Sequence, residues 1–181
     1  MKIAAVALAV LALAGCGGGS KKWHGIAGTL IFKTSEGTFK VAVDLRDSPN
    51  LAGSFEKLAK KGFFNGTIFH RIVPGFVIQG GDPTGTGSGG PGYTTVDVPP
   101  STTKYTHGIV AMAKTGAEAP GTAGSQFFVV TADDANLPPI YALLGEVTSG
   151  LDVVDRIGKL GDANEQPTKR VVVQTVTFVA Q

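Results

Sequence analysis

The segment "FHRIVPGFVIQGGD", Phe69 to Asp82, sets an arginine and a glutamine among apolar residues on either side of a Pro-Gly turn. An arginine side chain is charged and costly to bury without a partner. Arg71 is therefore either ion-paired for structure or aimed at a ligand, and its own strand offers no acidic residue to pair with. In the period of two that strands follow, Phe69 and Arg71 share one face, and Val77 and Gln79 continue that face beyond the turn. A second segment, "AGSQFFVVT", places Gln126 and Phe128 together on one face. These residues put hydrogen-bond donors beside apolar walls. That is binding chemistry, and it contains no nucleophile.

Other constellations fail on spacing. "GTGSGG" contains a G-x-G-x-x-G at Gly85, Gly87 and Gly90, but Pro91 and Gly92 follow where a dinucleotide site needs a helix to begin. His24, His70 and His107 show neither i, i+4 nor Cys/His spacing, so no metal site is expected. Ser88, His70 and Asp82 could be written as a hydrolytic triad, yet no G-x-S-x-G elbow supports it. Asn65-Gly66-Thr67 is best explained as a turn.

The elements that must position Arg71 and Gln79 are mostly strands. Thr29 to Lys33 and Thr38 to Asp44 alternate with period two around "SEG", a hairpin with Phe39, Val41 and Val43 on one side. "SPNLAGSFEKLAKKGFF" predicts a helix capped by Asn50, striped by Leu51, Phe55 and Leu58, and stopped at Gly62. Short apolar runs follow at Ile68 to Val73, Phe76 to Gln79, Ile109 to Ala113, Gln126 to Thr131 and Tyr141 to Val147. "SGLDVVDRIGKL" is a second helix with Leu151, Val154 and Ile157 on one face, and Val171 to Val179 is a last strand. About eight strands and two helices without βαβ alternation predict a mainly β fold. The expectation is a closed eight-stranded antiparallel barrel capped by two helices.

The ends and the composition bound the rest. Residues 1–15 give a lysine, an apolar run from Ile3 to Ala14 and then "LAGC", too short for a membrane span and suited to a signal peptide. "LAGC" resembles the lipobox of bacterial lipoproteins, in which the cysteine becomes the lipidated first residue. Residues 16–24 then form a lipid-bearing Cys16 with a Gly/Ser tether, and residues 25–181 form one domain. Cys16 is the only cysteine, so no intramolecular disulfide is possible. A net charge of +2 and a pI near 8.7, without a basic patch interleaved with aromatics, argue against a nucleic-acid partner.

From Gly25 to Val179 the chain resembles the cyclophilin family of peptidyl-prolyl cis-trans isomerases. The resemblance rests on "FHRIVPGFVIQGGD", "GTGSGG", "HGIVAMA", "GSQFFVVT" and "YALLGEV", in the family's order and near its spacing. It implies rotamase activity (EC 5.2.1.8) on proline-containing polypeptides, with no cofactor and with a groove outside a packed barrel. Arg71 matches the catalytic arginine and Gln79 the glutamine that holds the substrate backbone. Phe76, Val77, Phe128 and Leu137 match the proline pocket. Ala111, Met112 and Ala113 match the peptide-pairing segment, and Gln126 and Tyr141 border the groove.

The chain departs from the family at Met112, where many relatives carry asparagine, at Asn136, where several carry tryptophan, and at Tyr141, where they carry histidine. Cyclosporin-like cyclic peptides are therefore expected to bind with reduced affinity. Taken with the lipobox, the resemblance implies a monomeric isomerase outside the cytoplasm, anchored to a bacterial membrane and assisting the folding of exported proteins. Two other functions compete with it. One is a catalytically idle proline-peptide-binding module or chaperone on the same scaffold. The other is a solute-binding lipoprotein, which requires a hollow barrel.

The anchor has a direct test. Cys16→Ser should abolish membrane association and detergent partitioning while leaving the circular dichroism of the folded domain unchanged. Membrane retention of the serine variant would assign the attachment to the apolar segment instead.

Overall fold

The structure is a computed structural model, and it describes residues 25–181. The leader, Cys16, the tether and His24 lie outside the described residues. Ten strands and two helices follow in chain order: β1 (Ile26–Thr34), β2 (Gly37–Asp44), α1 (Pro49–Lys60), β3 (Arg71–Val73), β4 (Val77–Gly80), β5 (Thr95–Val96), β6 (Ile109–Met112), β7 (Thr122–Ala123), β8 (Phe127–Val130), β9 (Leu143–Ser149), α2 (Leu151–Gly158) and β10 (Val173–Ala180). Eight of the strands form one antiparallel sheet in the order β10-β1-β2-β9-β6-β8-β4-β3, and β5 pairs with β7 apart from it.

The expected closed barrel is not formed. The ladder keeps two free ends, β10 and β3, and the sheet is an open, curled half-barrel. Its ends approach through irregular chain. The segments ahead of β3 and β10 meet at a single bridge, Ile68 to Val172, flanked by Phe69 N–H to Val171 O at 3.1 Å and Val173 N–H to Thr67 O at 2.8 Å. Strand β3 spans only three residues, and Phe69, in the irregular chain ahead of it, leaves the expected alternation. Its ring turns into the core against Phe127, so Phe69 and Arg71 face opposite ways.

Residue alternation gives the sheet two apolar faces. On β8, Phe127 and Val129 enter the interior, while Phe128 and Val130 join a second cluster outside. The interior is filled rather than hollow. Phe127 sits among Phe32, Phe55, Phe69 and Phe64 with ring centroids 5.3, 5.9, 6.0 and 6.4 Å away, and Phe32 stacks on Phe39 at 4.7 Å. This packed interior is the filled one expected, and it argues against the solute-binding alternative, which requires a hollow barrel.

Helix α1 packs Leu51, Phe55 and Leu58 inward as its stripe requires, but Asn50 does not cap it. Ser48 holds the N-cap position and makes no side-chain cap. The first turn is capped instead from a distant loop, where Asp97 accepts the Leu51 N–H at 2.7 Å and the Asn50 side chain at 2.9 Å. A carboxylate there satisfies a free N–H and faces the positive end of the helix dipole. At the other end Gly62 takes φ 67°, and the Gly62 and Phe63 N–H groups close the last turn onto Ala59 O and Leu58 O.

Phe127 is fully buried at the centre of this aromatic core. Phe127→Ala should lower the unfolding free energy by about 3–5 kcal/mol, read as a shift in urea midpoint at unchanged slope.

Candidate active site

The site lies on the outer face of the curled sheet and is set by strand register. Arg71 is the direct partner of Gln79 across β3 and β4, Gln79 of Phe128 across β4 and β8, and Phe128 of Ala111 across β8 and β6. One rung therefore carries the charged donor, the amide and the aromatic floor. The Pro74-Gly75 turn between β3 and β4, with Gly75 at φ 69°, returns the chain so that Phe76 and Val77 rise beside them.

Together these side chains enclose a cavity of about 220 Å³ lined by Arg71, Phe76, Val77, Gln79, Ala113, Lys114, Phe128, Leu137 and Tyr141. Arg71 and Gln79 form its polar edge. Phe128 meets Tyr141 edge-on at 5.6 Å and forms the apolar floor. Tyr105, which sequence reasoning passed over, holds Tyr141 in place. Its fully buried hydroxyl donates to Tyr141 O at 2.6 Å and accepts from Tyr141 N–H at 3.0 Å. Burial pushes the Tyr105 hydroxyl up to about 12, so it remains a donor throughout the working pH range.

A hydrogen-bonded chain crosses the groove. Arg71 Nη1 donates to Gln79 Oε1 at 3.3 Å, and Gln79 Nε2 donates to Gln126 Oε1 at 3.1 Å. Gln126 Nε2 then donates to both Gly87 O and Gly89 O at 2.9 Å. The "GTGSGG" segment thus serves as a wall, and Asp82 shapes it. The fully buried Asp82 carboxylate accepts N–H bonds from Thr84, Thr86, Gly87 and Gly89 at 2.7, 3.1, 2.6 and 3.1 Å, and the Thr84 hydroxyl at 2.8 Å. Burial alone would push this carboxyl up. The bonds from Thr84, Gly89 and Gly87 outweigh it and hold the group well below the usual carboxylate range. With its oxygens engaged in this way Asp82 makes no hydrogen bond to His70. The paper triad does not exist.

Beyond Gln79 and Gln126 a larger cavity of about 680 Å³ opens between residues 87–94 and residues 113–118.

Most of the expected groove residues meet at these two cavities. Met112 does not. Its side chain is fully buried in the interior core, on the opposite face of β6, and its N–H donates to Ala142 O at 2.9 Å. Ala111 lies buried beneath the groove as the partner of Phe128, and Ala113 forms the wall. The side chain next along is Lys114, which lines both cavities and stands with Nζ 5.9 Å from the Tyr141 ring centroid. A period of two puts Ala111 and Ala113 on one face of the strand and Met112 on the other. Asn136 is exposed at the rim with φ 51°.

Arg71 has an acidic partner after all, from 94 residues away. Its Nε lies 2.6 Å from Glu165 Oε2. The Arg71 hydrogen bond, followed by its charge, holds the Glu165 carboxyl below the usual range. The guanidinium is thus tethered at Nε and Nη1, and among the described residues Nη2 donates to nothing. Held at these two points, Arg71 also lines the cavity.

A sequence model of the "cyclophilin type peptidyl-prolyl cis-trans isomerase/CLD" family matches residues 29–178. The chain belongs to this family. It is 41% identical over 136 residues to a peptidyl-prolyl cis-trans isomerase of Helicobacter pylori, covering 74% of this chain and 81% of that protein. To peptidyl-prolyl cis-trans isomerase B of Bacillus subtilis it is 46% identical over 107 residues, 58% of this chain and 72% of the other. A crystal structure of a Cryptosporidium parvum cyclophilin-type isomerase superposes with TM-score 0.77 at 30% identity, covering 85% of this chain and 98% of that one. The same parasite protein in the presence of the dipeptide Ala-Pro superposes with TM-score 0.76 at 29% identity, covering 84% and 99%.

The loop around Asp82 makes a separate prediction. Asp82→Asn leaves one acceptor oxygen facing several N–H donors, so stability should fall by roughly 2–4 kcal/mol and KM should rise as Gln126 loses its support. In the parental protein the contribution should persist at every pH above the ordinary aspartate value of 3.8 and disappear only on stronger acidification, because the folded carboxyl is held lower than the unfolded one. Chemical denaturation as a function of pH checks both.

Proposed function

We propose that this isomerase rotates X-Pro bonds of extended polypeptides in the Arg71–Phe128 groove, with Arg71 as the catalytic group. The observation that carries the reading is the 220 Å³ cavity, with a tethered guanidinium on one edge and an aromatic floor opposite. Amide resonance opposes rotation with a barrier of about 18–20 kcal/mol. Reaching a turnover of about 10–10³ per second requires removing roughly 4–7 kcal/mol of it, without a nucleophile.

The geometry offers two contributions. The proline ring enters the slot of Phe76, Val77, Phe128 and Leu137, which excludes water. Arg71 then donates to the prolyl nitrogen, whose lone pair becomes available only as the bond twists and resonance is lost. That interaction forms mainly in the transition state and so lowers the barrier instead of deepening the ground state. Gln79 and the backbone beside Ala113 hold the flanking peptide, and the 680 Å³ cavity accommodates the residues that precede proline. A peptide-binding module without catalysis would have no use for a guanidinium pinned at two points beside the slot.

The reading extends to place and partners. Its support is the apolar run Ile3 to Ala14, "LAGC" and the Gly/Ser tether, which suit export, lipidation of Cys16 and attachment to a bacterial membrane. Exported polypeptides are then the substrates. One chain supplies both edges of the groove, which suits a monomer. The exposed Asn136, in place of an indole, predicts weakened cyclosporin-like ligands.

Arg71→Ala should depress kcat/KM by roughly two to three decades, about 2.7–4 kcal/mol, with peptide affinity falling much less. Arg71→Lys should fail as well, because an ammonium cannot reproduce the planar fork. Phe128→Ala should show the reverse balance, weakening binding at least as much as turnover. A protease-coupled assay on a short X-Pro peptide, with dissociation constants for all three variants, decides. A folded Arg71→Ala protein with near-parental turnover would sink the mechanism.

A further inference from the structure

The edge of the main sheet at β3 is covered by the turn 161–167. Asp162 organises that turn. Its Oδ1 accepts the N–H groups of Asn164 at 2.8 Å and Gln166 at 2.9 Å, while its own N–H donates to Gln166 O at 2.9 Å. The turn docks on β3 through Ile72 N–H to Glu165 O at 3.0 Å. It docks closely, since a Cβ on Gly161 would collide with Ile72 O. The backbone therefore sets Glu165 alongside Arg71 whatever its side chain does.

Two features of Glu165 need an account. Its φ is 64°, in the left-handed region where a glycine is unstrained and a β-carbon is not. Only Asn136 shares a positive φ among the described non-glycine residues, and asparagine tolerates it. Secondly, the Glu165 side chain is 46% exposed, yet it bonds Arg71 Nε at 2.6 Å. An exposed ion pair adds little to stability, and glycine would relieve the backbone, so stability alone does not explain a glutamate here. Strain kept beside a reactive side chain points to a role in the reaction.

We propose that Glu165 is a positioning residue for isomerisation, fixing the plane of the Arg71 guanidinium so that its free Nη2 group reaches the prolyl nitrogen. The proposal rests on the reading of Arg71 as the catalytic group. A planar guanidinium held only at Nη1 by Gln79 can swing about that bond. A second hold at Nε defines the plane before substrate arrives, and such preorganisation acts on the transition state. Removing it should therefore lower kcat and leave KM, which the apolar slot sets, nearly unchanged. Glutamine at this position still accepts the Nε–H through its amide oxygen, so it separates placement from charge.

The test uses the full chain in four forms beside the parent: Glu165→Gly, Glu165→Gln, Arg71→Ala and Arg71→Ala/Glu165→Gly. Each is measured for kcat and KM on a short X-Pro peptide and for Tm. Glu165→Gly should keep or raise Tm while kcat falls about five- to tenfold with KM within about twofold. Glu165→Gln should keep at least about a third of parental kcat. In the Arg71→Ala background Glu165→Gly should change nothing further, because both changes act through one side chain. Parental kcat in a folded Glu165→Gly protein overturns the proposal. So does a loss that glutamine fails to recover, or one that persists undiminished without Arg71. Should Arg71→Ala itself turn over like the parent, the reading of Arg71 fails instead, so the two failures are told apart.

Discussion

Strand register is the constraint on which the site depends. Arg71, Gln79, Phe128, Ala111 and Leu143 occupy one rung across β3, β4, β8, β6 and β9, each the direct partner of the next. A slip of one residue in any of these strands would send its member of the rung into the interior and bring a core side chain out. The aromatic interior prevents that slip, because Phe127 and Val129 on β8 and Ile78 on β4 fit only when Phe128 and Gln79 face outward. The core thus specifies the groove by alternation, although the core touches no ligand.

Around that rung the polar groups form a continuous line. Donors point from Arg71 to Gln79, from Gln79 to Gln126 and from Gln126 to the carbonyls of Gly87 and Gly89, whose N–H groups end on buried Asp82. Bonds aligned in one direction polarise each other, and a buried carboxylate at the end of the line is satisfied by many donors. Apolar walls recognise the proline ring without directional demands. The polar line carries the directional part. This division lets a shallow groove combine broad substrate tolerance with a fixed donor geometry.

Periodicity made most of the strands and both helices legible in the sequence, since burial imposes a period of two or 3.6 on residue type, whereas the apolar slot came from the family resemblance. Alternation paired Val77 with Gln79 and Gln126 with Phe128, and the family resemblance supplied Phe76, Leu137 and Tyr141; all of these but Gln126 line the smaller cavity with Arg71. Readings that needed distant chain fared worse. Asp97 caps α1 from 46 residues beyond Leu51, and Glu165 meets Arg71 from 94 residues away, so neither pairing leaves a local signal. Phe69 broke its alternation because the chain is irregular ahead of β3. Met112 entered the peptide-pairing segment by resemblance, and its side chain lies in the interior while Ala113 and Lys114 line the groove. Barrel closure failed for a related reason: period two tells which face a strand buries and says nothing about whether the last strand meets the first.

The place where the described chain enters its sheet has a mechanical meaning. Strand β1 is flanked by β2 on one side and β10 on the other, with Gly28 facing Val43 and Ala180 at its start. A force applied through the residues ahead of Gly25 therefore loads two ladders together, where an edge strand would peel from one. Resistance to peeling from that side is a property of the strand order itself, and the groove on β3, β4, β6 and β8 lies outside the path that bears the load.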